Sequence, residues 1–254
     1  MDNTKYISSI SLKSPINKNS YLNSLPAVKY LQKNERLEFN SDVTFFVGEN
    51  GTGKSTLIEA IAVAYGFNPE GGSRNFNFST KNSHSELWRH ITVSKTAFAK
   101  DGFFLRAESL YNLASNIDDM DSEQSFDPPV IESYGGVSLH QQSHGESFLA
   151  LVQNRFGGRG LYILDEPEAA LSPMRLLTLL FEINKLVKKD SQFIIATHSP
   201  ILMSFPKATV YEFSSDGINK VDFKKTDHYI VTKSFLESPE RMLKHLLAET
   251  DTED

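Results

Sequence analysis

Residues 43–56 read Val-Thr-Phe-Phe-Val-Gly-Glu-Asn-Gly-Thr-Gly-Lys-Ser-Thr, an apolar, β-prone run that breaks into glycines, a lysine and two hydroxyls. Val43 to Val47 suits a strand buried on both faces, whereas the glycines permit backbone angles and close approaches that side chains block. The stretch that follows, KSTLIEAIAVAY at 54–65, has apolar residues at helical spacing and ends beside Gly66. Strand, glycine loop and helix are the context in which G-x-x-x-x-G-K-[ST] binds phosphate. Backbone N–H groups of Gly48, Glu49, Asn50, Gly51, Thr52 and Gly53 converge on the ligand, and the helix amino end at Lys54, Ser55 and Thr56 adds partial positive charge. Lys54 reaches the β and γ phosphates, and the Ser55 hydroxyl is a ligand for Mg²⁺. A nucleoside triphosphate sits on this turn.

Such a loop needs a carboxylate for the metal and a group to orient water. Residues 160–168, GLYILDEPE, form an apolar strand ending in Asp165-Glu166, consecutive acids that point in different directions. Asp165 can face Mg²⁺ while Glu166 faces the attacking water. Downstream, QFIIATHSP places His198 just past another apolar strand. In a parallel sheet that position shares the carboxyl edge with the glycine loop, where a histidine can hydrogen-bond a γ-phosphate.

The chain has 254 residues, 39% of them apolar, enough for one α/β domain with a sizeable core. Its 26 basic and 32 acidic residues leave a net charge of -6, which gives no general attraction to nucleic acid or anionic lipid. The absence of cysteine removes disulfides, thiolate metal sites and cysteine nucleophiles, and fits a reducing compartment. No apolar stretch approaches the ~20 residues that span a bilayer, and the first residues lead into polar sequence, so the expectation is a soluble, cytoplasmic chain without membrane insertion.

Strands are expected at 6–12, 36–47, 87–94, 101–107, 160–165, 192–197, 208–213 and 218–223, and helices at 54–65, 145–155, 173–188 and 238–248. Residues 114–137, rich in acids with two prolines and two glycines, read as a surface excursion. Alternating strand and helix implies an α/β fold: a mostly parallel sheet with helices on both faces, plus amino-terminal antiparallel strands and a small helical subdomain at about 109–156, all within a single domain over 1–254.

Between the two phosphate motifs lies Ser143-His144-Gly145-Glu146-Ser147, opening an expected helix. Alone, SHGES is a plain helix start with Ser143 or Ser147 as cap. In its place between the Walker motifs, the set resembles the ABC-type ATPases, whose signature is usually Leu-Ser-Gly-Gly-Gln. Ser143 and Gly145 match the serine and second glycine; His144 and Glu146 depart from it. The resemblance, over roughly 40–205, implies a P-loop NTPase fold and a head-to-tail homodimer in which Ser143 and Gly145 of one copy meet the γ-phosphate held by the other.

The family's Q-loop glutamine is missing. Glu108 stands near its place and is either a contact to Mg²⁺-bound water or a surface glutamate, while Tyr21 or Tyr30 is either an adenine-stacking ring or an ordinary tyrosine. Asp165-Glu166-Pro167-Glu168-Ala169-Ala170-Leu171-Ser172-Pro173 resembles the soluble recombination and repair branch and small standalone ATPases more than transport engines. Three functions remain: an Mg²⁺-dependent ATPase coupled to an unidentified protein or nucleic acid, an ATP-dependent binding module with slow hydrolysis, and the ATP-binding subunit of a membrane transporter. The acidic stretch 118–127 is a solvated loop or a partner surface.

Overall fold

A computed structural model describes residues 5–73, 85–122, 128–215 and 217–248. Its centre is a six-stranded sheet in the order β5(Asp101–Arg106), β6(Gly160–Asp165), β7(Gln192–Ala196), β3(Val43–Gly48), β8(Thr209–Ser214), β9(Gly217–Val221). All neighbours are parallel except β8 and β9, which form an antiparallel edge pair. Every residue of β3, β6 and β7 is buried, as expected of strands covered on both faces. Alternate residues feed two cores. Phe46, Ile163 and Ile194 face α1(Pro26–Asn34), α2(Lys54–Tyr65) and a small antiparallel sheet of β2(Arg36–Glu38), β1(Ile7–Leu12) and β4(Ile91–Lys95). Phe45, Tyr162 and Ile195 face α3(Leu110–Ser122), α4(His144–Arg155) and α5(Pro173–Val187). The short α6(Pro200–Met203) follows β7, and α7(Asp227–Glu237) and α8(Pro239–Ala248) end the described chain.

Several elements differ from expectation for identifiable reasons. Residues 36–47 are two strands in different sheets, because Asn40 and Ser41 interrupt the apolar run and Ser41 bonds Thr209 on β8 (2.6 Å). The polar connection before them contains α1, which buries Pro26, Ala27, Val28 and Leu31 along one face. The strand expected at 87–94 starts as a 3-10 turn over Glu86–Arg89, capped by Ser85. The surface excursion expected at 114–137 holds only in part: α3 runs to Ser122 and buries Leu110, Leu113, Ala114 and Ile117 at helical spacing, whereas 128–137 are mostly exposed around the buried Tyr134. Acids of the 118–127 stretch are partly structural, since Asp118 accepts from Ser138 Oγ (3.0 Å) and Asp121 from the Ile131 N–H (2.9 Å); residues 123–127 lie outside the described residues. Helix α7 has no counterpart in the sequence-based reading.

Candidate functional site

The carboxyl ends of β3, β6 and β7 meet at one edge of the sheet. At the end of β3, Gly48 has φ 133°, and a Cβ there would lie 2.2 Å from the Phe213 carbonyl oxygen, so only glycine lets the loop leave the sheet against β8. Gly53, at φ 84°, occupies the position before α2, whose amino end has no side-chain cap and is available to an anion. Lys54 is buried, and its ammonium donates back across the loop to Gly48 O (2.7 Å) and Glu49 O (2.9 Å). Burial lowers its pKa, with Glu166 and Asp165 opposing the shift. Asn50, Gly51, Ser55, Thr56 and Glu166 line the pocket over the loop.

Asp165 ends β6 and accepts a hydrogen bond from Ser55 Oγ (3.0 Å). Burial pushes its carboxyl up to about 6; Arg106 and Ser55 pull it down, and Glu166 and Glu108 add to the rise. Glu166 takes left-handed backbone angles (φ 51°, ψ 52°), a conformation that costs a non-glycine residue about 1–2 kcal/mol. Its N–H is tied to Ala196 O (3.0 Å), and its half-exposed side chain faces the pocket rather than the core.

After β7, Thr197 donates from its N–H to Phe46 O (3.0 Å) and from its hydroxyl to Glu168 (2.8 Å), which also accepts the His198 N–H. This anchored loop brings His198 Nε2 within 3.4 Å of Glu166 Oε1, but not in hydrogen-bonding geometry, and the buried Nε2 has no hydrogen-bond partner among the described residues. Burial, then Lys54 and His228, lower the His198 pKa, leaving the ring neutral near pH 7. Lys54, Ser55, Asp165, Glu166 and His198 thus share one edge.

Three residues here escaped the sequence reading. Arg106, paired with Asp165 in the β5/β6 register, contacts Glu59 (3.0 Å), Glu108 and Asp165 (3.6 Å). Glu168 holds the His198 loop. His228, from α7, packs its ring against that of His198.

The Ser55 hydroxyl and Asp165 carboxylate, facing each other from α2 and β6, are hard oxygen donors of the kind Mg²⁺ takes. No group of three or more metal-binding side chains occurs among the described residues. The pair fits such an ion by donor type and supplies two oxygens to it.

Residues 24–106 match a family model described as "AAA domain", and residues 132–204 one described as "AAA domain, putative AbiEii toxin, Type IV TA system". The nisin transport ATP-binding protein NisT of Lactococcus lactis subsp. lactis is 30% identical over 161 residues, 56% of this chain and 26% of that protein. The ribose import ATP-binding protein RbsA of Bacillus cereus is 23% identical over 172 residues, 62% of this chain and 34% of that protein. The chain thus spans roughly a quarter to a third of the curated relatives it matches. Among solved structures, an ATP-binding cassette of an ABC transporter superposes with TM-score 0.53 at 16% identity, covering 90% of this chain and 98% of that one. The cbiO1 protein of Clostridium perfringens, part of the ABC transporter complex cbiONQ, gives 0.51 at 17% identity, covering 96% and 100%. The fold is that of the ABC-type P-loop ATPases.

The signature-like stretch at 143–147 does not line the P-loop pocket. Ser143 stands at the amino end of α4, where Glu146 accepts from its N–H (3.0 Å) and hydroxyl (2.7 Å). Arg175 of α5 donates to Ser143 Oγ (3.2 Å) and Glu146 (2.9 Å), and the serine's hydrogen bonds hold the Glu146 carboxyl below its ordinary range. Gly145 is required locally, since a Cβ would meet Arg175 Nη1 at 2.5 Å and Ala170 O at 2.9 Å. Glu108 is 72% exposed at the rim, engaged with Arg106. Tyr21 is exposed and bonds Ser85 (3.1 Å), while Tyr30 packs on the core. No helix among the described residues is long and apolar enough to cross a membrane.

Proposed function

We propose that the chain binds ATP with Mg²⁺ and hydrolyses it, and that two copies close head to tail around the nucleotide to act on a partner. The observation that carries this reading is the convergence of Lys54, Ser55, Asp165, Glu166 and His198 on one sheet edge. The P-loop N–H groups and Lys54 hold the phosphates, and Ser55 with Asp165 would hold the ion, which when bound neutralises charge on the transferring phosphoryl group. Glu166 orients water and accepts its proton, and His198 Nε2 supplies a hydrogen bond to the γ-phosphate. Ser143 and Gly145, remote from their own chain's pocket, complete the site of a second copy. The DEPEAALSP stretch favours an assembly outside membrane transport. A slow-hydrolysing binding module is the second reading, favoured by Arg106 at the strand end where a Q-loop would begin and by the clamping of Ser143 by Glu146 and Arg175.

The Glu166→Gln substitution tests the scheme, because it keeps the side chain's shape and Asp165 while removing the carboxylate. Turnover is expected to fall about 10²–10⁴-fold with ATP still bound, and trapped ATP stabilises the interface it bridges. Sedimentation should show a dimer with Mg·ATP and a monomer without it. Adding Ser143→Arg should abolish that dimer. A Glu166→Gln chain that stays monomeric at saturating ATP and tens of micromolar protein overturns the head-to-tail arrangement.

A further inference from the structure

His228 lies beyond both matched stretches, the second of which ends at residue 204. It is set in place by Thr226, a fully buried residue whose hydroxyl caps α7 at the Tyr229 N–H (3.3 Å) and donates to Phe223 O (2.7 Å). From there His228 Nε2 approaches His198 Nδ1 at 3.1 Å and Gly48 O at 3.4 Å, with the two rings edge to face.

We propose that His228 is a positioning residue that holds His198 in the tautomer carrying its proton on Nε2, the nitrogen that faces Glu166. A carbonyl oxygen offers only lone pairs, so a bare ring nitrogen beside Gly48 O would set lone pair against lone pair. His228 Nε2 therefore carries hydrogen. That proton has two acceptors in reach, Gly48 O at 3.4 Å and the nearer His198 Nδ1 at 3.1 Å, and a second proton on His198 Nδ1 would face it head on. A neutral imidazole has one N–H, and with Nδ1 accepting, that proton sits on Nε2. This is the buried nitrogen left without a hydrogen-bond partner among the described residues. Its donor is aimed at the space beside Glu166 and the P-loop pocket. The opposite tautomer would present a lone pair to the γ-phosphate and to the Glu166 carboxylate. The catalytic consequence rests on the proposed ATP hydrolysis; the tautomer itself does not.

The two are separated by two measurements. Nitrogen-15 NMR of the ligand-free chain, with His198 assigned by its loss in His198→Gln, should show Nδ1 bare and Nε2 protonated. His228→Glu, which puts an acceptor in place of the donor, should move the proton to Nδ1. Protonated Nδ1 in the unsubstituted chain overturns the proposal. In Mg·ATP turnover, His228→Leu should lower kcat about 10-fold, the equivalent of one hydrogen bond, at unchanged KM. His228→Gln, whose amide N–H can occupy the place of Nε2–H, should restore kcat to within about 3-fold. In a His198→Ala background, His228→Leu should add nothing. An unchanged kcat in His228→Leu, or a further fall on top of His198→Ala, overturns action through His198. If the unsubstituted chain hydrolyses no ATP, the functional reading fails while the NMR result still decides the tautomer.

Discussion

Strand β7 and helix α7 each deliver one histidine to the same corner, yet β7 buries every residue and α7 buries none. His198 inherits its position from a strand locked between β3 and β6, with Thr197 and Glu168 pinning the turn. His228 depends on a buried threonine, a ring contact between Phe223 and Tyr229, and His198 itself. Beyond it, Leu236, Leu243, Leu246 and Leu247 are all exposed. The contrast separates two ways of placing a functional side chain. A packed sheet edge fixes geometry whether or not ligand is present, while an unburied helix contributes a group that local opening can withdraw.

Lys54→Ala strikes the packed side hardest. The lysine bridges Gly48 O and Glu49 O in the free chain, and its loss leaves phosphate charge to backbone dipoles alone. Charge-assisted bonds of this kind correspond to an affinity loss on the order of 100-fold. Calorimetry should show that loss while the unfolding transition stays close to that of the unsubstituted chain. Unchanged ATP affinity would refute the phosphate site.

Asp165→Asn probes what that packed geometry costs. The folded carboxyl titrates at about 6, above its ordinary 3.8, because burial disfavours the charge. A group with a raised folded pKa contributes stability that is present below about pH 4 and lost as pH rises toward about 6. At pH 7 in chelator the charged Asp165 is therefore a liability, and Asp165→Asn should be more stable by about 1–3 kcal/mol, with a flatter stability profile between pH 4 and 6. Denaturant titrations across that range decide it, and a less stable variant at pH 7 would mean that Arg106 and Ser55 outweigh burial. On the proposed function the same variant should also lose Mg²⁺-dependent stabilisation by ATP.

The packed side was also the legible side. Val43 to Val47, broken only by the buried Thr44, Leu161 to Leu164 and Phe193 to Ala196 are nearly continuous apolar runs; the first two lead straight into Gly48 and Asp165, and the third stops one residue short of His198. Burial on both faces leaves no polar alternation to confuse the reading. Helices α1 and α3 were hidden because their buried faces, Val28 with Leu31 and Leu113 with Ile117, are narrow and flanked by Asn, Ser and Asp. Arg106 and Glu168 looked like ordinary charges beside strand ends, because their partners Asp165 and Thr197 are joined to them only by the fold. His228 meets His198 and Gly48 only after α6, β8 and β9 have intervened, and no periodicity or spacing encodes that meeting.

Thr226→Val is the mildest substitution and the one that sharpens the contrast most. Valine keeps the branched shape inside the buried site, but removes the hydroxyl that donates to Phe223 O and caps the Tyr229 N–H. Losing such a cap costs about 1 kcal/mol. Were α7 part of the cooperative core, that loss would appear in the global unfolding midpoint. Since α7 and α8 bury no residue, the penalty should instead appear as local opening: faster amide exchange over 227–237, an almost unmoved midpoint, and protection unchanged in β3 and β7. Opening of α7 would take His228 away from Gly48 and His198 without disturbing the P-loop, so ATP affinity should hold while turnover falls part of the way toward that of His228→Leu. A midpoint that drops by the full cap energy with exchange rising evenly through the sheet would erase the distinction between the two histidines, making α7 as much a part of the core as β7.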